Sequence, residues 1–237
     1  MSTYTLTLIK KVPVANETMA FHFKKPEGFT YIAGQYGDFT LMNMPETDEE
    51  GNKRTFSLTS APCEEDLVVT TRLRDTAFKR TLKQLPEGGT IQLEGPFGSL
   101  ALPKNTARTA AFLTGGIGAT LVRSMVVQAT HDQSPHRMVF FYSNQSPERS
   151  VYLDEFAALA KQNGNFLFVP TMTDANTEWS GERGSIDKAL LEKYMEDISD
   201  AIYYLSGPGT MVGDMRTLLL DAGVDRTNIR ADQFVGY

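Results

Sequence analysis

The chain has 237 residues, 41% hydrophobic and 22% charged, enough for two domains of ordinary globular composition rather than a disordered chain. Its 23 Lys and Arg against 29 Asp and Glu leave a formal net charge of −6, which gives no reason to expect nucleic-acid binding. One cysteine, Cys63, rules out a four-cysteine iron–sulfur cluster in this chain, and three histidines without ligand spacing argue against a structural zinc, so no metal site is expected.

The first hundred residues read as strands. "TYTLTLIKKV" and "TMAFHFKKP" alternate apolar and polar side chains, as half-buried strands do, and "YGDFTLMN", "RTFSLTS", "DLVVTTRLR" and "TIQLEGPFG" continue the pattern. Gly and Pro punctuate them, and one helix is expected over 77–85. "NMPETDEEGNKR" is polar and acidic and reads as a surface loop. Between Thr71 and Lys83 stand Arg72, Arg74, Lys79, Arg80 and Lys83 with a single acid, Asp75. That local excess is either a solvated face or a place for phosphates or an acidic partner.

After Pro103 the pattern changes. "TAAFLTG" is continuously apolar, as a strand buried on both faces should be, and Leu121, Val122, Met125, Val126 and Ala129 then mark a helical stripe. Strand-like "RMVFFYS", "NFLFVPTM", "AIYYLSG" and "NIRADQFV" alternate with helical "VYLDEFAALAKQ", "SIDKALLEKYM" and "PGTMVGDMRTLLLDAGV". The loop around Trp179 and "SGERG" reads as a turn, and Cys63 as an inert, partly buried thiol. The expected fold class is α+β in two domains: an antiparallel Greek-key β-barrel over 1–104, then an α/β domain with a parallel sheet over 105–237. Ligands of such sheets bind beyond the carboxyl ends of the strands, often in a cleft between domains.

The segment "LTGGIGAT" lies at one such strand end. A helix N-terminus offers unpaired N–H groups to a pyrophosphate, and glycine lets the backbone come close. The full dinucleotide fingerprint fails, however, because Ala119, Thr120 and Leu121 follow Gly118 and "YSNQ" supplies no acid for a ribose hydroxyl. "SGPGTM" occupies the equivalent place after a later strand, and two glycine turns at one sheet edge favour a bound ligand over a bare turn.

Six motifs in order give the chain a family resemblance: "AGQY", "RTFSLTSAP", "GPFG", "GGIGAT", "SGPGTM" and the tail "RADQFVGY". Together they resemble the ferredoxin–NADP⁺ reductase superfamily, flavoprotein reductases with a barrel flavin domain and a nicotinamide domain. The resemblance implies FAD and either NADPH or NADH as cofactors. It implies that Arg54 pairs with the flavin pyrophosphate, Phe56 packs on the isoalloxazine, and Ser57 places a hydroxyl near the hydride-accepting nitrogen. Thr55, Thr71, Arg72, Ala77, Phe78 and Lys79 would hold the rest of the flavin, and Phe234 would cover its far face. Thr120 would reach both cofactors. Gly115, Gly116 and Gly118 would line the nucleotide path, Ser143 and Asn144 would meet its adenosine ribose, and Ser206, Gly207, Pro208 and Met211 would flank the nicotinamide. Phe56, Leu121 and Ser206 replace the family's Tyr, Pro and Cys, and Arg149 or Arg183 would have to supply any contact to a 2′-phosphate.

The implied function is hydride transfer from NAD(P)H to FAD, then electron delivery to a ferredoxin- or flavodoxin-type protein or to a small acceptor such as free flavin, ferric iron or quinone. A flavin-bearing electron-transfer subunit of a larger complex is the alternative. A flavin-free Rossmann dehydrogenase is a third, disfavoured by the missing acid. The expected setting is cytoplasmic, with no membrane span.

Overall fold

The computed structural model describes residues 2–231, and the chain divides into two compact units, residues 1–101 and 102–237. In the first unit, strands β1 (Thr3–Ala15), β2 (Thr18–Lys24), β3 (Tyr36–Thr40), β4 (Lys53–Ser57), β5 (Asp66–Arg72) and β6 (Thr90–Phe97) form one antiparallel sheet in the order β4-β3-β6-β1-β2-β5. Just past β4 the chain meets the opposite edge, where the N–H of Thr59 donates to the Val68 carbonyl at 2.8 Å. That bond curls the sheet towards a barrel and removes the exposed edges that open sheets must protect. Alternate residues point inward, so Leu6, Leu8, Phe21, Phe23, Phe39, Leu67, Val69, Ile91 and Leu93 make one core. Helix α1 (Ala77–Gln84) spans β5 to β6, with Thr76 capping its first turn and Phe78 and Leu82 anchored in that core.

In the second unit, β7 (Ala110–Gly115), β8 (Met138–Asn144), β9 (Phe166–Met172), β10 (Glu182–Arg183), β11 (Ile202–Ser206) and β12 (Ile229–Ala231) are all parallel, in the order β10-β9-β8-β7-β11-β12. Helices α2 (Ala119–His131), α3 (Leu153–Gln162), α4 (Lys188–Tyr194) and α5 (Gly209–Asp221) connect them. In-register pairing lines up Phe168, Phe140, Phe112 and Tyr204 across four strands, with ring centroids 5.4, 6.4 and 5.0 Å apart, and Phe156 of α3 packs on Phe140. The other face buries Ala111, Leu113, Phe141, Tyr203 and Leu205 beneath α4 and α5. Each fully buried aromatic contributes on the order of 1.5–3 kcal/mol, so these two faces hold the strand ends in fixed register.

Three details depart from the sequence reading. The Trp179 loop is no plain turn, because Glu182 and Arg183 pair with Thr171 and Met172 as a short edge strand. Helix α4 begins only at Lys188, since the Asp187 carboxylate caps it by accepting from the N–H of Leu190 at 2.8 Å, although Ile186 still packs in the core. Cys63 is exposed, not partly buried.

Candidate functional site

Sheet order locates the candidate site of the second unit. The chain leaves β7 towards β8 and β9 on one side and returns as β11 on the other, so the adjacent ends of β7 and β11 are the topological switch point. Both strands run straight into a glycine turn and then a helix: Gly115–Gly116 into α2, Gly207–Pro208 into α5. The two turns are packed hard against each other. A Cβ added at Gly118 would lie 2.5 Å from the Ser206 carbonyl oxygen, and one at Gly115 would lie 2.6 Å from the Met211 sulfur. These glycines therefore serve a contact between turns before they serve any ligand. The Tyr142 hydroxyl donates to the Gly116 carbonyl at 3.0 Å and fixes the turn from below.

Around this edge, Ser206 and Thr120 are buried, and the Thr120 hydroxyl donates to the carbonyl of Ile117 at 2.9 Å. Ser143 is half-buried at the end of β8. Its neighbour Asn144 is buried, and its side-chain N–H₂ finds no acceptor among the described residues; the hydroxyl of buried Thr114 is likewise without a partner there. Buried polar atoms normally find partners, so donors left open at a strand end fit a polar ligand placed there. Arg183 is committed elsewhere, its guanidinium donating to the carbonyls of Thr177 at 3.0 Å and Trp179 at 2.7 Å. Arg149 lies exposed in the short turn Pro147–Arg149, beside Glu148.

The first unit carries a candidate site of its own, on the barrel. Phe56 is 9% exposed, packed on Phe39 and Phe78 at 5.6 and 6.0 Å. The Lys79 ammonium lies over the Phe56 ring at 4.8 Å and donates to the Thr71 hydroxyl. Burial, then the charges of Arg54 and Arg74, pull the Lys79 amine down to about 8, against a weaker opposing pull from Glu50. No carboxylate stands within ion-pair distance of Lys79 among the described residues. A half-desolvated cation without a counter-ion fits an anionic group such as a flavin phosphate. Phe78 has a fully buried side chain, so it supports this site from the core while the Arg54 guanidinium lies over its ring at 5.1 Å. Ser57 and Arg72 are half-buried, and Thr55 is exposed with its hydroxyl on Asp38.

Sequence reasoning placed the acidic loop before β4 at the surface but missed its partners. Glu50 pairs with Arg54 at 2.7 Å, Asp48 accepts from the N–H of Ala77 at 2.7 Å, and Glu46 pairs with Arg80 at 2.6 Å. The Ala77 N–H, more than any other group, holds the Asp48 carboxyl below the usual carboxylate range, with the N–H of Glu50, Arg54 and Arg80 adding to it. The available signal was charge complementarity between "ETDEE" and "RLRDTAFKR". Phe234 lies outside the described residues.

Residues 112–217 match the family described as Oxidoreductase NAD-binding domain. The chain is 34% identical over 158 residues to one subunit of the Na⁺-translocating NADH-quinone reductase of Methylococcus capsulatus, covering 64% of this chain and 39% of that protein. Over 231 residues it is 28% identical to the corresponding subunit of the Pseudoalteromonas atlantica enzyme, covering 90% and 56%. The chain spans about half the length of these relatives. Among solved structures, a ferredoxin NADP⁺ reductase from Neisseria gonorrhoeae with bound FAD and NADP superposes with a TM-score of 0.79 at 22% identity, over 98% of both chains. The flavohaem-like FAD/NAD-binding domain of nitric oxide dioxygenase from Vibrio cholerae superposes at 0.82 with 19% identity, over 97% and 98%. Most of the second unit is thus similar to NAD-binding domains of oxidoreductases. The chain as a whole shares the two-unit fold of these solved structures, and its six motifs resemble those of the ferredoxin–NADP⁺ reductase superfamily.

Proposed function

We propose that the chain is a flavoprotein reductase that accepts a hydride from NAD(P)H and delivers the electrons to a separate acceptor. The observation that carries this reading is the pair of glycine turns knitted together at the switch point between β7 and β11, the place where open α/β sheets bind nucleotides. Bound FAD would supply the conversion of a two-electron hydride into single electrons. The chain's part is to bind and orient. Arg54, Lys79 and the first turn of α1 hold the flavin phosphates, Phe56 supports the ring, and Ser57 presents a hydroxyl to it. Gly115, Gly116, Thr120, Asn144 and the Ser206–Met211 turn seat the nucleotide. No protein nucleophile or general base is required.

The acceptor is a ferredoxin- or flavodoxin-type protein or a small molecule: free flavin, ferric iron or quinone. A second reading, an electron-transfer component of a larger assembly, is favoured by the relatives that are subunits of a Na⁺-translocating NADH-quinone reductase. A panel of ferredoxin, flavodoxin, cytochrome c, ferric chelate and quinone, each with purified chain and NADH, separates the two. Turnover with a soluble acceptor supports the free reductase. Rapid flavin reduction with no turnover on any acceptor supports the assembly component. Among the described residues no helix is long and apolar enough to cross a membrane.

NADH is expected to be the better donor. Arg183 is occupied by its own loop, and Glu148, in the short turn that follows β8, adds a negative charge that disfavours a 2′-phosphate there. The kcat/KM for NADH should exceed that for NADPH by about tenfold, the scale of one unfavourable charge contact. Equal values would show that Arg149 overrides its acidic neighbour.

A further inference from the structure

The acidic loop touches the same donors that the proposed flavin site needs. Arg54 donates to the Glu50 carboxylate at 2.7 Å, to the Glu50 and Lys53 carbonyls at 2.7 Å each, and to the Gly51 carbonyl at 3.1 Å. Asp48 lies 3.8 Å from Arg54 through one carboxylate oxygen, while the other accepts from the N–H of Ala77, the first residue of α1. Glu46 adds a third contact through Arg80, which also binds Asp75. A guanidinium fork and a helix's first N–H groups are also what a pyrophosphate takes. The two carboxylates of Asp48 and Glu50 stand in for phosphate oxygens, and two of the loop's three ion-pairing carboxylates, Glu50 at 58% and Glu46 at 49% exposure, face solvent. Ion pairs of that exposure are weak and exchange readily.

We propose that residues 46–50 form an acidic strap that holds the flavin-phosphate donors, Arg54 and the first turn of α1, and that FAD enters by displacing it. Carboxylate is exchanged for phosphate at each donor, so the charge balance of the barrel face is kept. Lys79, on the same face but outside the strap's ion pairs, gives the incoming phosphate a cation that the strap does not already hold. This inference rests on the flavin reading, and its test separates the failure of either.

The measurement is stopped-flow uptake of FAD by the full-length, flavin-free chain, followed by quenching of flavin fluorescence. Glu50→Gln and Asp48→Asn, singly and together, are isosteric changes at the surface, and thermal melting confirms that each variant folds. The double variant should take up FAD about fivefold faster, the scale of the exposed ion pairs removed. Riboflavin, which has no phosphate, should bind all forms at one rate. A second readout needs no variant: amide hydrogen exchange across 46–51 should be faster in the FAD-loaded chain than in the flavin-free chain, while the N–H of Ala77, passed from carboxylate to phosphate, should stay protected. FAD uptake in the double variant at or below the wild-type rate would make the carboxylates a scaffold for Arg54 and overturn the strap. So would equal or greater protection of 46–51 in the loaded chain, or equal acceleration of riboflavin. If wild type and variants all refuse flavin, the flavin reading itself falls and takes the strap with it.

Discussion

Gly118→Ala is expected to lower the stability of the second unit by about 2–3 kcal/mol, a drop of roughly 5–10 °C in melting temperature. The new methyl carbon would lie 2.5 Å from the carbonyl oxygen of Ser206 and 2.7 Å from its carbonyl carbon. Both belong to the backbone at the end of β11, which is held in register against β7 and cannot retreat cheaply. The strain must open the contact between the two glycine turns, and that contact shapes the proposed nucleotide seat. The KM for NADH should therefore rise by at least about tenfold, since small displacements of a bound reactant cost heavily. Gly115→Ala provides the contrast. Its methyl would meet the Met211 sulfur at 2.6 Å, the far end of a flexible side chain that can swing aside, so its cost should stay below about 1 kcal/mol. Thermal melts and NADH kinetics of the two variants check this, and indistinguishable melts would remove the packing role assigned to Gly118.

Lys79→Met should push stability and cofactor binding in opposite directions. The ammonium is desolvated against Phe56 without an ion-pair partner among the described residues, and its amine is drawn down to about 8 from its ordinary 10.5. Below pH 8 the lysine is protonated whether folded or unfolded, and the burial penalty is present in full. Between pH 8 and 10.5 the unfolded chain binds more protons than the folded one, so wild-type stability rises with pH and the penalty disappears. Flavin-free Lys79→Met should accordingly be more stable than wild type at pH 7, by on the order of 1 kcal/mol after allowing for partial exposure, and the gap should close as pH approaches 10.5. Its affinity for FAD should fall by about 10- to 100-fold, the worth of one charge-assisted contact to phosphate. In wild type, an anion beside Lys79 restores the proton, so FAD binding at pH 8 should take up about half a proton, measured by calorimetry in buffers of different ionisation enthalpy. The groups facing Lys79 are Arg54, Arg74, Glu50, Thr71 and Phe56. A variant that is less stable, binds FAD normally and shows no proton uptake would mark Lys79 as a structural cation.

The barrel and the parallel sheet were legible because each leaves its own period in the sequence. "TMAFHFK" alternates, as one face in and one face out requires, and "AAFLTG" does not, as burial on both faces requires. Strand β10 was not legible. Two residues, Glu and Arg, carry no period, and they are a strand only because the backbone of β9 lies alongside and the Thr171 hydroxyl donates to the Gly184 carbonyl at 2.7 Å. The glycine turns were legible as two strand-to-helix turns at one sheet edge, but the sequence suggested that their glycines make room for a ligand. The closeness of Gly118 to Ser206 follows from the pairing of β7 with β11, which no local pattern contains. The acidic loop was legible as surface and illegible as a partner of α1, because the Asp48–Ala77 contact spans 29 residues and exists only once α1 has folded against the loop.

The most direct test of the account is an anaerobic titration of the purified, FAD-reconstituted chain with NADH, followed by visible absorbance. One FAD should bind per chain, with a band at about 450 nm that bleaches as NADH is added and returns when an acceptor is supplied. A colourless chain that takes up no FAD, or a bound flavin that NADH leaves oxidised, would contradict it.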